Sequence, residues 1–318
     1  MTKHPLVSIV TPSFNQVKYL EYTLLSVLEQ DYPNLEYWVI DGASTDGSVR
    51  LIDRYTHRLT GWMSEKDHGQ AEAINKGFRL VHGEIVAWLN SDDVYYPKAI
   101  SRAVEAFDAH PQASFVFSDV DSINERGQVF HRMRYGRWGL RDLMQFKIIG
   151  QPGVFIRRSA LDQAGLLDLD YHYLLDHHLW LRLAEVSEPS YVKGAPFAQA
   201  RLHAEAKNKA AAANFGPEAF KIARWLGEDR RFYPLSAKLH RQIWAGAYRL
   251  NGYYLTESGL HREGLSMFAQ SFKRSPRIAM RSWKRILVTL LGGGIGKLTR
   301  KLFERLGRMK YGLRGKGK

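Results

Sequence analysis

An α/β fold built on a doubly wound sheet, followed by an all-helical basic extension, is predicted by three observations. Short apolar runs alternate with helically spaced ones through the first 118 residues. The apolar runs are continuous rather than alternating, as expected of strands covered on both faces. From Glu218 onward every segment has helical spacing, with 23 Lys/Arg against six Asp/Glu, whereas the residues before it carry 23 against 26.

The elements follow in order. Residues 6–11 form a strand closed by Pro12 and Asn15, and Leu20, Leu24, Val27 and Leu28 give a helix over 19–30. A second strand, 35–40, ends in Asp41-Gly42, before a short helix at 48–55. A third strand at 61–64 precedes a helix over 70–81 with Ala71, Ile74, Phe78 and Val81 on one face. The fourth strand, 85–89, lies between Gly83 and an Asn-Ser-Asp-Asp break, and Pro97 opens a helix to 110. A fifth strand is placed at 114–117.

Past Ser118 the rhythm breaks. Residues 121–127 read as a turn and 129–133 as a strand, with an aromatic, basic stretch over 134–147. Gln151-Pro152-Gly153 leads into a strand at 154–156, then helices at 159–164 and 176–185, and a last strand within 191–197. Residues 204–214, rich in Ala, Lys and Asn, read as a linker. Beyond it, Tyr248, Gly252, Gly259, Gly264, Phe268, Ser271 and Pro276 match the small, aromatic and proline positions of a paired-helix hairpin. Trp283, Ile286, Leu287, Leu290 and Leu291 share one helix face, and Leu298, Leu302, Leu306 and Met309 another, with Lys and Arg opposite both. That pattern fits helices lying on an anionic surface, the alternative being a packed pair with a solvated basic face.

Composition narrows the chemistry. The 318 residues contain no cysteine, which excludes disulfides, thiolate metal sites and a cysteine nucleophile. Hydrophobic content of 45% and charged content of 25% are ordinary for a globular protein. No apolar run reaches the roughly 20 residues of a membrane span, and the first strand begins so early that no secretory leader is expected. The first two thirds show no basic groove interleaved with aromatics, so nucleic acid is not an expected partner.

The chemistry is expected where strands end. Asp92 and Asp93 follow the buried fourth strand, at the sheet edge where open α/β folds bind ligands. Two adjacent carboxylates repel unless a cation neutralises them, and a hard divalent ion takes carboxylate and phosphate oxygens together. The alternative is a solvated Asp-Asp turn. The other strands end alike: Thr11 to Asn15 after the first, Asp41 and Asp46 after the second, and Asp67 then Asn75 after the third.

Taken together, these runs resemble the family 2 glycosyltransferases, inverting sugar-nucleotide enzymes of the GT-A fold, a Rossmann-like mixed sheet; the resemblance covers about residues 5–205. It implies a transferase domain over 1–205, with a nucleotide-binding part at 1–118 and an acceptor part at 119–205. A linker at 206–217 and a helical region at 218–318 follow. It implies that Thr11, Pro12, Phe14 and Asn15 line the nucleotide pocket, that Asp41 accepts from the base, most often uracil, and that Asp67 and Asn75 support base and ribose. Asp92 is expected at the ribose or metal, Asp93 on a Mn²⁺ or Mg²⁺ ion, His203 as a further metal ligand and Arg201 at the diphosphate. Many relatives carry Asp-Asp after the second strand, where this chain has Asp41-Gly42.

Inversion needs one base facing the acceptor hydroxyl. The family's helix pattern aligns Asp176 with that base through Leu179-Trp180, while His178 stands where an acidic residue is usual, leaving a histidine as the alternative. Gln151, Pro152 and Gly153 resemble the floor of the acceptor site, with His177 and Trp180 beside it. The resemblance implies a UDP-sugar donor, a glycan or lipid-linked acceptor and surface-polysaccharide synthesis. Together with the basic tail it places the protein in the cytoplasm, on the inner face of the membrane. Rival readings are a sugar-nucleotide nucleotidyltransferase and a non-catalytic nucleotide-sugar-binding protein.

Overall fold

A computed structural model describes residues 4–205 and 211–291. Eleven strands and twelve helices are assigned among them. In chain order the first are β1 (Val7–Ser13), α1 (Val17–Leu28), β2 (Leu35–Asp41), α2 (Ser48–Arg54), β3 (Gly61–Ser64), α3 (Gln70–Leu80) and β4 (Ile85–Trp88). Then come β5 (Val94–Tyr95), α4 (Ala99–Ala109), β6 (Phe115–Ser118), β7 (Val120–Ile123), β8 (Val129–Met133) and α5 (Leu140–Met144). The third group is β9 (Val154–Arg157), α6 (Arg158–Ala164), α7 (Leu175–Val186), β10 (Ser190–Val192) and β11 (Ala198–Arg201). Last are α8 (Phe215–Glu228), α9 (Leu235–Glu257), α10 (His261–Arg274), α11 (Pro276–Ala279) and α12 (Trp283–Leu290).

The main sheet has seven strands in the order β10-β6-β9-β4-β1-β2-β3. The pairs among β4, β1, β2 and β3 are parallel, whereas β9 enters antiparallel between β4 and β6. The sheet is therefore mixed and covered on both faces. On one face Val7, Ile9 and Tyr37 join Leu20 and Leu24 of α1 and Ile100 and Phe107 of α4. Elsewhere Trp88 packs edge-on to Phe78 of α3 and stacks on Trp180 of α7.

Three sequence expectations need correction. Residues 120–123 are a strand, and the turn is confined to Asn124–Gly127, where Gly127 takes φ +75°. The last strand is two: β10 pairs with β6 in the main sheet, while β11 pairs with β5 in a second sheet ordered β5-β11-β7-β8. β5 has no counterpart among the expected elements, because a two-residue strand has no periodicity to detect.

The chain divides into two compact units. Among the described residues, one comprises those through Ser122 with Arg132–Gly139 and Ile149–Arg201; the other comprises Ile123–His131, Leu140–Ile148 and the described residues from Leu202 onward. The division falls after Arg201, four residues before the expected end at 205, and the helical unit also takes two excursions from the acceptor part. Residues 206–210 of the expected linker lie outside the described residues, and α8 starts at Phe215, inside that linker. In the second unit α9 and α10 form the expected hairpin; a side chain at Gly252 would press on Phe268 and the Gly264 carbonyl, so its absence lets the helices close. The apolar face through Leu298–Met309 lies outside the described residues.

Candidate active site

The carboxyl ends of β1, β2 and β3 are aligned, with Ser13 opposite Asp41 and Asp41 opposite Ser64. Asp41 is fully buried. Its carboxylate accepts from the Ser44 N–H at 2.9 Å, the Ser44 hydroxyl at 2.5 Å and the Ser64 hydroxyl at 2.7 Å. With those donors from its own chain it builds the turn after β2. Asp46 is likewise structural: it accepts the Val17 N–H at the start of α1 and both donors of Ser48, and despite partial burial these bonds lower its pKa. Asn15, at φ +51°, links two loops by donating its N–H to Ser44 Oγ and accepting from Thr45 N–H.

Thr11 is buried, its hydroxyl 2.9 Å from that of Tyr37, and Pro12 is buried beside it. Phe14 is the exposed member, at 60%. Gly42 explains the departure from Asp-Asp: a Cβ there would lie 2.7 Å from Asp67 Oδ2 and 3.3 Å from the Phe14 ring. Asp67 thus reaches into the space a second aspartate would take, braced by the Gly69 N–H at 2.8 Å. Asn75 is buried, and both ends of its amide bind the main chain of Leu167.

The end of β4 is built differently. Asp93 is buried, accepting the Arg201 N–H at 2.9 Å and, less closely, the Asn90 amide at 3.3 Å. Burial, then the charge of neighbouring Asp92, pushes its pKa well above the usual carboxylate range, against the opposing hydrogen bonds. Arg201 donates Nε to the Asp92 carbonyl at 2.9 Å, with its guanidinium over the rings of Tyr19 and Tyr22. Among the described residues no three His, Asp or Glu side chains form a ready cage. The donor set still fits Mg²⁺ or Mn²⁺, which can be held by one or two carboxylates with substrate phosphates completing the shell. A cation would also relieve the repulsion that raises Asp93. His203 is buried and belongs to the second unit.

On the acceptor side, Gln151 is buried and donates Nε2 to the Trp88 carbonyl at 2.7 Å, anchoring the turn Gln151–Gly153 to β4. The Gly150 N–H donates to the Tyr135 hydroxyl at 2.9 Å. Gly153 lies against Val120 and the Ser118 carbonyl, leaving no room for a side chain. Asp176 stands partly exposed in the first turn of α7 and accepts the His177 N–H at 2.7 Å. It lies near enough to Tyr135 for its charge, after burial and alongside Asp119, to raise that phenol's pKa. Trp180 is fully buried in the core, stacked on Trp88 with ring centroids 5.3 Å apart and tilted against Phe115 at 5.4 Å. His177 is fully buried, and His178 stacks on Tyr171 at 4.2 Å.

Sequence reading misses several residues that build this half. Asp119 accepts the Tyr135 N–H and the Tyr191 hydroxyl, each at 2.9 Å. Asp121 takes a bidentate pair from Arg132 at 2.6 and 2.8 Å. The signal for them is Asp-Val-Asp directly after an apolar strand, the same pattern that marks Asp92 and Asp93.

A mixed, two-faced sheet with carboxylates beyond the ends of its central strands is the arrangement at which open α/β folds bind ligands. The model of glycosyl transferase family 2 matches residues 8–163. An uncharacterized glycosyltransferase of Mycobacterium tuberculosis is 30% identical over 200 residues, 61% of this chain and 74% of the relative. The O-antigen biosynthesis protein RfbC of Myxococcus xanthus is 28% identical over 203 residues, 60% of this chain but 16% of that larger protein. Among solved structures, the mannosyltransferase PcManGT of Pyrobaculum calidifontis, in complex with GDP-Man and Mn²⁺, superposes with TM-score 0.62 at 19% identity, over 99% of this chain and 89% of its own. Residues 1–349 of Staphylococcus aureus TarS with UDP-GlcNAc give TM-score 0.55 at 14% identity, over 88% and 92%. The chain belongs to the family 2 glycosyltransferases, has the GT-A fold and is a glycosyltransferase.

Proposed function

We propose that the protein transfers one sugar, with inversion, from a nucleoside diphosphate donor, UDP-linked, to a hydroxyl of a glycan or lipid-linked acceptor in surface-polysaccharide synthesis. The observation that carries this reading is Asp93, a buried carboxylate set against Asp92 at the end of β4 with the Arg201 main chain and guanidinium beside the pair. Supporting it, TarS was solved with UDP-GlcNAc and PcManGT with GDP-Man and Mn²⁺. RfbC is named for O-antigen biosynthesis.

In this mechanism Asp93 would hold Mn²⁺ or Mg²⁺, with Asp92 beside it at the ribose or the metal, and the ion would supply positive charge against that growing on the departing diphosphate. Arg201 adds a fixed positive charge at the same edge, and His203 is a further candidate ligand. Phe14 offers its exposed ring to the base, and Asp67, beside it, is better placed to meet a base N–H than Asp41. Asp176 takes the proton of the acceptor hydroxyl as its oxygen bonds to the anomeric carbon; the bond to the diphosphate breaks, and the nucleoside diphosphate leaves with the electron pair. Gln151, Pro152 and Gly153 hold the floor on which the acceptor lies.

The test is Asp176→Asn, assayed for consumption of UDP- and GDP-linked sugars with Mn²⁺ and for UDP affinity by calorimetry. Turnover should fall about 10²-fold or more while UDP binds as before. Unchanged turnover in Asp176→Asn removes Asp176 as the base, and if His177→Ala or His178→Ala shows the loss instead, the base is a histidine.

We also propose that the helical unit docks on an anionic membrane. Among the described residues no helix is long and apolar enough to cross a membrane. Yet Met280, Trp283, Leu287, Leu290 and Leu291 are all about half exposed or more on and beside α12. The next 27 residues carry nine Lys/Arg against one Glu. Each Lys or Arg near an anionic surface contributes about 1 kcal/mol. Sedimentation with anionic vesicles at low salt should therefore depend on residues 275–318. Equal binding by a chain ending at Arg274 overturns it.

A further inference from the structure

We infer that Asn75 is a positioning residue, which fastens the donor-side helix α3 to the loop delivering Asp176, and that Arg182 is the second fastener of that loop. The inference rests on the proposed role of Asp176.

Asn75 lies on the buried stripe of α3, between Ala71 and Phe78. Its Nδ2 donates to the Leu167 carbonyl at 2.8 Å, and its Oδ1 accepts the Leu167 N–H at 3.0 Å. Both main-chain groups of one residue are thereby satisfied by one side chain, much as a neighbouring strand would satisfy them. A buried loop needs such partners, since it has no ladder of its own. A side-chain amide offers a donor and an acceptor side by side on one planar group, matched to the N–H and C=O of one residue. Aspartate has no donor when ionised, and alanine would leave both Leu167 groups without their partner.

Arg182 acts from the other side. It is buried on α7, six residues after Asp176, and donates Nη1 to the carbonyls of Ala164 at 2.8 Å and Gly165 at 3.2 Å. Its Nη2 donates to the Leu166 carbonyl at 2.8 Å. These carbonyls belong to the end of α6, where the helix has no further N–H to offer them. Gly165, at φ +80°, turns the chain there. Residues 164–167 are thus held by two side chains from different helices.

From that anchor the loop runs eight residues to the start of α7. Asp168 closes a turn by accepting from the Asp170 N–H at 2.9 Å. Leu169 projects half exposed at its tip, and Tyr171 returns to stack on His178. Asp176 follows in the first turn of the helix. Toward the donor side, α3 begins just past the Asp67 to Gly69 hydrogen bond, and Asp67 abuts Gly42. The Asn75 pair therefore joins the segment that meets the nucleotide to the segment that meets the acceptor, inside one compact unit. Its consequence is geometric: the base is held where it acts only while Leu167 is held.

The experiment uses the full chain and three readouts: hydrogen exchange of the peptide spanning 166–174, UDP affinity in Mn²⁺, and turnover of whichever of UDP-GlcNAc and GDP-mannose the protein consumes. Asn75→Ala should speed exchange of that peptide at least tenfold and lower kcat about 10- to 100-fold, the scale of a misplaced catalytic group. UDP affinity should change less than twofold. Arg182→Lys, which keeps a charge at the end of α6 but cannot span three carbonyls, should give the same signature more weakly and serves if Asn75→Ala does not fold. A tenfold loss of UDP affinity with exchange unchanged makes Asn75 a nucleotide ligand and overturns the inference. Faster exchange with kcat unchanged overturns it also, leaving a merely structural clamp. Exchange and UDP affinity do not involve Asp176, so a failure of Asp176→Asn to slow turnover identifies a wrong base without imitating either result.

Discussion

The ends of β2 and β4 carry the same residue type at the same edge of one sheet and are built in opposite ways. At β2, Asp41 is enclosed and meets three donors from Ser44 and Ser64 within 2.9 Å. At β4, Asp93 has one close donor, the Arg201 N–H, and one long one, and it faces the negative charge of Asp92. Burial is common to both; satisfaction is not. A carboxylate that takes three short hydrogen bonds from its own chain holds a loop. One with fewer donors against a like charge is, on the proposed reading, where a cation would complete it. The difference separates scaffold from site where residue type and position along the strand cannot.

The sharpest way to break that comparison is Asp93→Asn. If the carboxylate is there for a cation, Mn²⁺-dependent UDP binding should disappear. The metal-free protein should at the same time melt at a higher temperature, because a neutral amide removes both the desolvation penalty and the repulsion from Asp92. The sign follows from the raised pKa: the ionised form is the unfavourable one in the folded protein, so removing the charge stabilises it at neutral pH. Calorimetric titration of UDP with and without Mn²⁺, alongside a thermal melt, reads both. Retained Mn²⁺-dependent binding, or a lower melting temperature, means Asp93 is scaffold like Asp41.

Much of this is legible in the chain. Buried strands announce themselves as continuous apolar runs, and β1 to β4 fall within two residues of where those runs place them. Orientation is another matter. Nothing in Val154–Arg157 says that the strand will enter antiparallel between β4 and β6, because periodicity gives the element and not its partner. The site divides in the same way. Asp92 and Asp93 stand out because adjacency along the chain is itself the signal. The partner Asp41 finds in the Ser64 hydroxyl is not legible, because it lies 23 residues away, on a strand whose register only folding sets.

Two other residues do carry a local signal of their place. Leu175, Leu179, Trp180 and Leu183 recur at helical spacing, and that spacing alone makes Trp180 part of a core stripe. Asn75 interrupts the apolar stripe of α3, and a polar residue there must find a buried partner. A resemblance carries over a residue's role. The helical spacing around that residue tests whether its side chain is free to perform it.

A smaller effect tests the other half of the comparison. Asp41→Asn can turn its oxygen toward the Ser44 N–H and the Ser64 hydroxyl, which now bond to Asp41 Oδ2, and its amide nitrogen toward the Ser44 hydroxyl, which rotates to accept. No main-chain donor loses its partner, but three hydrogen bonds to a charge are exchanged for neutral ones. Each such exchange costs about 1 kcal/mol. The expected result is a clear fall in denaturant midpoint at unchanged m-value, with the turn after β2 loosened. UDP affinity should fall by no more than about threefold, through disturbance of neighbouring Asn15 and Phe14. If the carboxylate instead met the base, a single lost hydrogen bond to a charged group would by itself weaken UDP about tenfold or more, and the fold would hardly notice. A variant that is as stable as the parent but binds UDP tenfold less well would return Asp41 to the nucleotide pocket and leave β2 and β4 alike.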